Sequence, residues 1–117
     1  MGNTDKFDSI ANSYDNPERT RIAMVASDAI KEYLGDTRSK SAIDFGCGTG
    51  LVGMNLVNEF ESLLFMDTSE NMLDIVKKKI TDVGALNART LCFDFESSSQ
   101  PDLRADYIFM AQVLLHI

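Results

Sequence analysis

Apolar positions along this chain switch between two rhythms, helical spacing and short unbroken runs, and the switches mark out the elements. Ile22, Val25, Ala26, Ala29 and Tyr33 recur at the three-and-four spacing of one helical face. Asn16-Pro17-Glu18 supplies the start of that helix: a capping side chain, proline at the first position and an acid in the first turn. Gly35 is the expected C-terminal stop. A polar link from Asp36 to Ser41 leads into the apolar pair Ala42-Ile43, and helical spacing resumes at Leu51, Val52, Leu56 and Phe60. Leu63-Leu64-Phe65-Met66 is then a continuous apolar run of strand length, as suits a parallel strand covered on both faces. Thr68 or Ser69 caps a further helix, whose inner side is read as Met72, Ile75 or Val76, Ile80 and Val83, with Gly84 ending it. Arg89 to Asp94 predicts a third strand, Asp106 to Met110 a fourth, and Gln112 to Ile117 the beginning of another apolar helix.

Helices and strands in alternation point to α/β architecture with a parallel sheet and right-handed crossovers. Residues 1–16 are polar apart from a few positions such as Phe7 and Tyr14, and are expected to form an arm or short helix that packs two rings on the core. The sequence ends inside an apolar segment, Leu114-Leu115-His116-Ile117, which predicts a fragment of a longer fold.

Length and composition narrow the picture without changing it. The chain has 117 residues, 44% of them hydrophobic and 25% charged, as expected of one small globular domain. A net charge of −7 disfavours nucleic acid as a partner. Lys77-Lys78-Lys79 is read as a solvated helix face. Cys47 and Cys92 lack metal-site or paired spacing and are both expected to be small buried hydrophobes, which makes a reducing, cytoplasmic setting the default. No metal site is visible. No apolar run approaches membrane-spanning length, and Met1 to Lys6 contains no apolar signal region.

The chemistry centres on Asp44-Phe45-Gly46-Cys47-Gly48-Thr49-Gly50, a strand end with three alternating glycines that opens a helix. Glycines admit positive φ and let a ligand lie on bare backbone, while the free N–H groups of a helix start favour polar or anionic atoms. Asp44 repels a pyrophosphate but suits a ligand carrying an amino group or a sulfonium. Asp44, Asp67 and Asp94 each end a strand, so all three are expected at one rim, where open parallel sheets bind ligands. Asp67 lies 17 residues beyond Gly50, close to the spacing at which an acid takes ribose hydroxyls.

These residues resemble a family. Ile43 to Gly50 is similar to the first motif of class I S-adenosylmethionine-dependent methyltransferases, nearest to the small-molecule enzymes of ubiquinone and menaquinone type. Leu64-Phe65-Met66-Asp67, Ser69 to Leu73, Cys92-Phe93-Asp94-Phe95 and Asp106 to Ile117 resemble the later motifs, in order. The resemblance implies a three-layer, Rossmann-like, doubly wound parallel sheet, here about four of seven strands ordered 3-2-1-4. Residues 1–117 would then be the cofactor-binding part, with most of the substrate part missing.

Carried over, the family roles put Gly46, Cys47, Gly48 and Gly50 against the methionine part and ribose, with Asp44 supporting the amino group. Asp67 holds the ribose hydroxyls, and Thr68 and Met72 lie beside the adenine. Asp94 accepts from the adenine amino group, Phe95 donates its backbone N–H to the ring, and Ala111 offers its carbonyl to the ammonium. Tyr14 closes over the cofactor or packs on the core, and His116 is either a helix residue or an acceptor-side catalytic group.

Two rivals stand beside this reading. Gly48-Thr49-Gly50-Leu51-Val52-Gly53 satisfies the dinucleotide pattern GxGxxG, although such a site leaves Asp94-Phe95 unexplained. A non-catalytic module that works through a partner, such as a second copy paired along the open sheet edge, is the other.

Overall fold

The computed structural model describes residues 15–94 and 103–110. Its elements are α1 (Pro17–Tyr33), β1 (Ser41–Phe45), α2 (Leu51–Leu56) running into a 3-10 turn (Val57–Glu59), β2 (Ser62–Asp67), α3 (Glu70–Val83), β3 (Ala88–Cys92) and β4 (Tyr107–Phe109). The strands form one sheet in the order β3-β2-β1-β4, all neighbours parallel. This is the expected 3-2-1-4 order.

Register explains the layers. Ala42 pairs with Leu63 and Asp44 with Phe65, so these four side chains share one face by strand alternation. One buried cluster joins Ala42, Leu63 and Phe65 to Ala23 of α1, Val52 and Leu56 of α2, and Leu73 and Val76 of α3. All three helices therefore lie on that face. Burying a side chain such as Phe65, Leu63 or Leu56 completely contributes about 1.5–3 kcal/mol each. Ile43 and Met66 point to the opposite face and are also buried, at 4% and 3% exposure. The centre of the sheet is thus covered on both sides, which is why β2 reads as a continuous apolar run. The helix expected from Gln112 onward lies outside the described residues.

Local signals set most boundaries as expected. Asn16 Oδ1 accepts from the Arg19 N–H at 2.8 Å and Pro17 opens α1. Ser69 rather than Thr68 caps α3, accepting from the Met72 N–H, and Gly84 ends it with φ of 68°. Four expectations need correction. The inner face of α1 is Ala23, Ala26, Ser27, Ile30 and Leu34, whereas Val25 and Tyr33 are 60% and 91% exposed. Small residues win because α1 sits close on α2, where the Ser27 hydroxyl accepts from Asn55 Nδ2 at 3.2 Å. Gly35 is not left-handed: Leu34, in extended conformation, already terminates the helix. Val83 faces solvent at 65% exposure, and Leu73 takes the inner position instead. Cys92 is exposed, because β3 is an edge strand on which the helix layer closes incompletely.

Candidate functional site

The turn after β1 is fixed from beneath by the neighbouring strand. The N–H groups of Gly46 and Cys47 both donate to the carbonyl of Met66, at 2.8 and 2.9 Å. Gly46, Gly48 and Gly50 all adopt positive φ, at 72°, 57° and 81°. Three left-handed residues within five leave no room for L side chains without strain, so the alternating glycines follow from the backbone path. Gly50 is the N-cap of α2 and its carbonyl accepts from Met54 N at 2.9 Å.

Asp67, at the end of β2, reaches across to this turn. Its Oδ2 accepts from the Gly48 N–H and its Oδ1 from the Ser69 N–H, both at 2.9 Å. Two backbone donors thereby lock the carboxylate's orientation while each oxygen keeps a further acceptor site. The chain beyond β3 runs alongside, with Phe93 N donating to the Asp67 carbonyl at 3.1 Å. Asp94 follows as an exposed residue, so Asp67 and Asp94 share the rim at the carboxyl ends of the strands.

Asp44 does not join them there. Its side chain points into the helix face, fully buried, and no donor among the described residues completes a hydrogen bond to either oxygen. The expectation that three carboxylates line one rim is corrected to two, because Asp44 precedes the strand's last residue and alternation turns it inward. Burial above all, with the nearby Asp67 adding to it and the Gly53 backbone amide partly opposing it, brings its pKa up from 3.8 to about 7. Burial likewise pushes the Cys47 thiol up, with Asp44 and Asp67 adding to the shift, so it stays a neutral thiol. Cys47 is a packed small residue, fully buried, whose backbone N–H and carbonyl are bonded to Met66 and Gly50.

Gly53 accounts for the last glycine of GxGxxG. A Cβ there would stand 2.3 Å from Phe65 Cε1 and 2.6 Å from Asp44 Oδ2. That glycine lets α2 approach β2, a packing role that carries no information about a dinucleotide.

A methyltransferase-domain family profile matches residues 42–117, more than half of the chain. The chain belongs to the methyltransferase-domain family. Its fold is shared by solved structures at low identity. A SAM-dependent methyltransferase from Aquifex aeolicus is 22% identical, with TM-score 0.69 over 87% of this chain and 55% of that one. An S-adenosylmethionine-dependent methyltransferase from Clostridium acetobutylicum is 23% identical, with TM-score 0.57 over 90% of this chain and 42% of that one. A coclaurine N-methyltransferase bound to N-methylheliamine and SAH is 17% identical, with TM-score 0.62 over 74% of this chain and 26% of that one. The chain thus spans about half or less of the length of these proteins. No curated protein matches it.

Within this methyltransferase domain, the structure brings Gly46, Cys47, Gly48, Gly50 and Asp67 together, with Thr68 exposed and Met72 half-buried at the start of α3. Tyr14, Phe95, Ala111 and His116 lie outside the described residues. Among the described residues there is no cluster of potential metal ligands, and no helix is long and apolar enough to cross a membrane. Sequence reasoning named Gly53 only as part of the dinucleotide pattern and missed its packing role, whose signal was a glycine three residues into an apolar helix. It also missed Asp15 and Lys79, which converge on Thr49 from distant segments.

Proposed function

We propose that this chain binds S-adenosylmethionine across the glycine turn and forms the cofactor-binding half of an enzyme that methylates a small molecule. The observation that carries the reading is the Asp67 carboxylate, clamped by the Gly48 and Ser69 N–H groups beside a run of left-handed glycines. A carboxylate so oriented suits a vicinal diol, since both its oxygens accept. The bare turn admits a ligand in van der Waals contact with backbone, and a ligand bearing an ammonium and a sulfonium would favour the ionised form of Asp44 beneath it. A pyrophosphate would be repelled by the Asp67 carboxylate and would disfavour that ionisation, which argues against the dinucleotide reading.

The bound cofactor would supply a methyl group already activated on a sulfonium. The chain's own part is then alignment and exclusion of water: Asp67 fixes the ribose end and the glycine turn fixes the amino-acid end. Thr68, Met72 and Asp94 are the residues for the adenine end, with Phe95, Ala111 and Tyr14 completing the site on the resemblance alone. The acidic charge balance supports a small-molecule acceptor over a nucleic acid.

Calorimetric titration with S-adenosylmethionine, S-adenosylhomocysteine and NADH tests this, with Asp67→Ala in parallel. The first two bind the wild type and NADH does not, and Asp67→Ala weakens binding at least about ten-fold, the loss of two charge-assisted hydrogen bonds. Binding of NADH alone would overturn the reading.

A further inference from the structure

The geometry points to Lys79 and Asp15 as positioning residues that set the glycine turn for its ligand. The ligand's identity rests on the function proposed above; the latch itself does not. Lys79, late in α3, places Nζ 2.6 Å from Asp15 Oδ2 and 2.7 Å from the Thr49 carbonyl oxygen. The Thr49 hydroxyl donates to the other oxygen of Asp15. Three segments far apart in sequence thus close into one ring: the lead-in to α1, the glycine turn and α3.

This corrects the reading of the lysine trio as a solvated face. Lys77 and Lys78 make pairs along their own helix with Asp74 and Asp82, and the partners in both pairs are well exposed. Lys79 and Asp15 are only 25% and 14% exposed, and Thr49 is buried. An ion pair screened from water and sharing a hydroxyl is worth more than a surface pair.

Its position gives the ring its consequence. In a trans peptide the C=O and the following N–H point in opposite directions. Lys79 holds the Thr49 carbonyl on one side, while the Gly50 N–H on the other donates to the Cys47 carbonyl at 3.0 Å. The Thr49–Gly50 peptide is therefore pinned from both sides. Left-handed glycines are the residues most free to flip a peptide, so a turn built from them needs such a pin to present one fixed surface.

Native-state hydrogen exchange, read at the Gly50 amide and at β2 amides, tests the latch in Lys79→Met, Asp15→Asn and Lys79→Arg. Lys79→Met and Asp15→Asn each speed Gly50 exchange at least about ten-fold while β2 amides change less than about two-fold. Lys79→Arg, which keeps the charge and donors for both acceptors, stays near wild type. The double variant is no worse than either single one, because the two residues act as a unit. In calorimetry the same two variants weaken S-adenosylhomocysteine about ten-fold. Unchanged Gly50 exchange in Lys79→Met, or equal acceleration in β2, overturns the latch. Failure of the wild type to bind S-adenosylhomocysteine overturns the proposed function instead, and the exchange result still decides the latch.

Discussion

The two ends of this sheet are built in opposite ways. At the amino end, side chains close the backbone groups that the strands leave open. Asn87 Nδ2 donates to the carbonyls of Val57 and Phe60, at 2.9 and 3.0 Å, and the Thr37 hydroxyl donates to that of Glu59. Asp106 Oδ2 accepts from the Ser41 N–H at 2.9 Å. At the carboxyl end the backbone takes left-handed conformations at three glycines, and a buried carboxylate completes no hydrogen bond among the described residues, the Gly53 amide only approaching it. Yet a concavity of about 650 Å³, lined by residues such as Met54, Asn58, Val83 and Leu86, lies at the amino end. Buried polar groups are normally satisfied, so an exception marks where a fold has been shaped for something other than its own stability.

The largest effect separating the two ends comes from Asp44. Its pKa rises from 3.8 in the unfolded chain to about 7 in the folded one. Below pH 3.8 both states hold the proton and the contribution to stability is fully present. As pH rises, the unfolded chain ionises first, so stability falls until the folded pKa is passed, by about 4 kcal/mol in all. Denaturant titrations from pH 4 to pH 8 should show this decline, and Asp44→Asn should flatten it. An equally steep decline in Asp44→Asn would place the titrating group elsewhere.

Next in size is Gly53→Ala. The added methyl collides with Phe65 and Asp44, so the helix must move off the sheet at a cost of about 3 kcal/mol. Because the displaced partner is Asp44, the same variant should also weaken S-adenosylhomocysteine in calorimetry. A stable variant with wild-type affinity would show that α2 has room the structure does not reveal.

These two positions also show what the sequence could and could not disclose. Strand positions and helix starts were legible because they depend on neighbours in sequence: unbroken apolar runs, Asn16 before Pro17, Ser69 before an acidic turn. The strand order, a matter of distant pairings, came only from the family resemblance. The inward direction of Asp44 was legible in principle, since it lies two residues from Ala42 and shares its face, but its place beside the glycines invited a rim assignment. The inner face of α1 was not, because Ala23 and Ser27 were selected by the closeness of α2 rather than by hydrophobicity. Lys79 was least legible of all. Its partners lie 64 and 30 residues away, and nothing in a run of three lysines distinguishes the one that turns inward.

The smallest effect tests the contrast from the other end. Asn87→Ala removes the amide that serves both Val57 and Phe60, leaving two half-buried carbonyls to find other donors. Val57 and Asn87 both line the open concavity at this edge, so the cost is held to about 1–2 kcal/mol rather than the full desolvation of two acceptors. Stability should therefore drop by that amount in urea titration, with the same pH dependence as the wild type because Asp44 lies at the far end. Affinity for S-adenosylhomocysteine should stay within about two-fold, since substitutions well apart and without shared partners act independently. A marked loss of affinity would mean that the amino end transmits strain through β2 to Asp67, and the division of labour between the two ends would have to be abandoned.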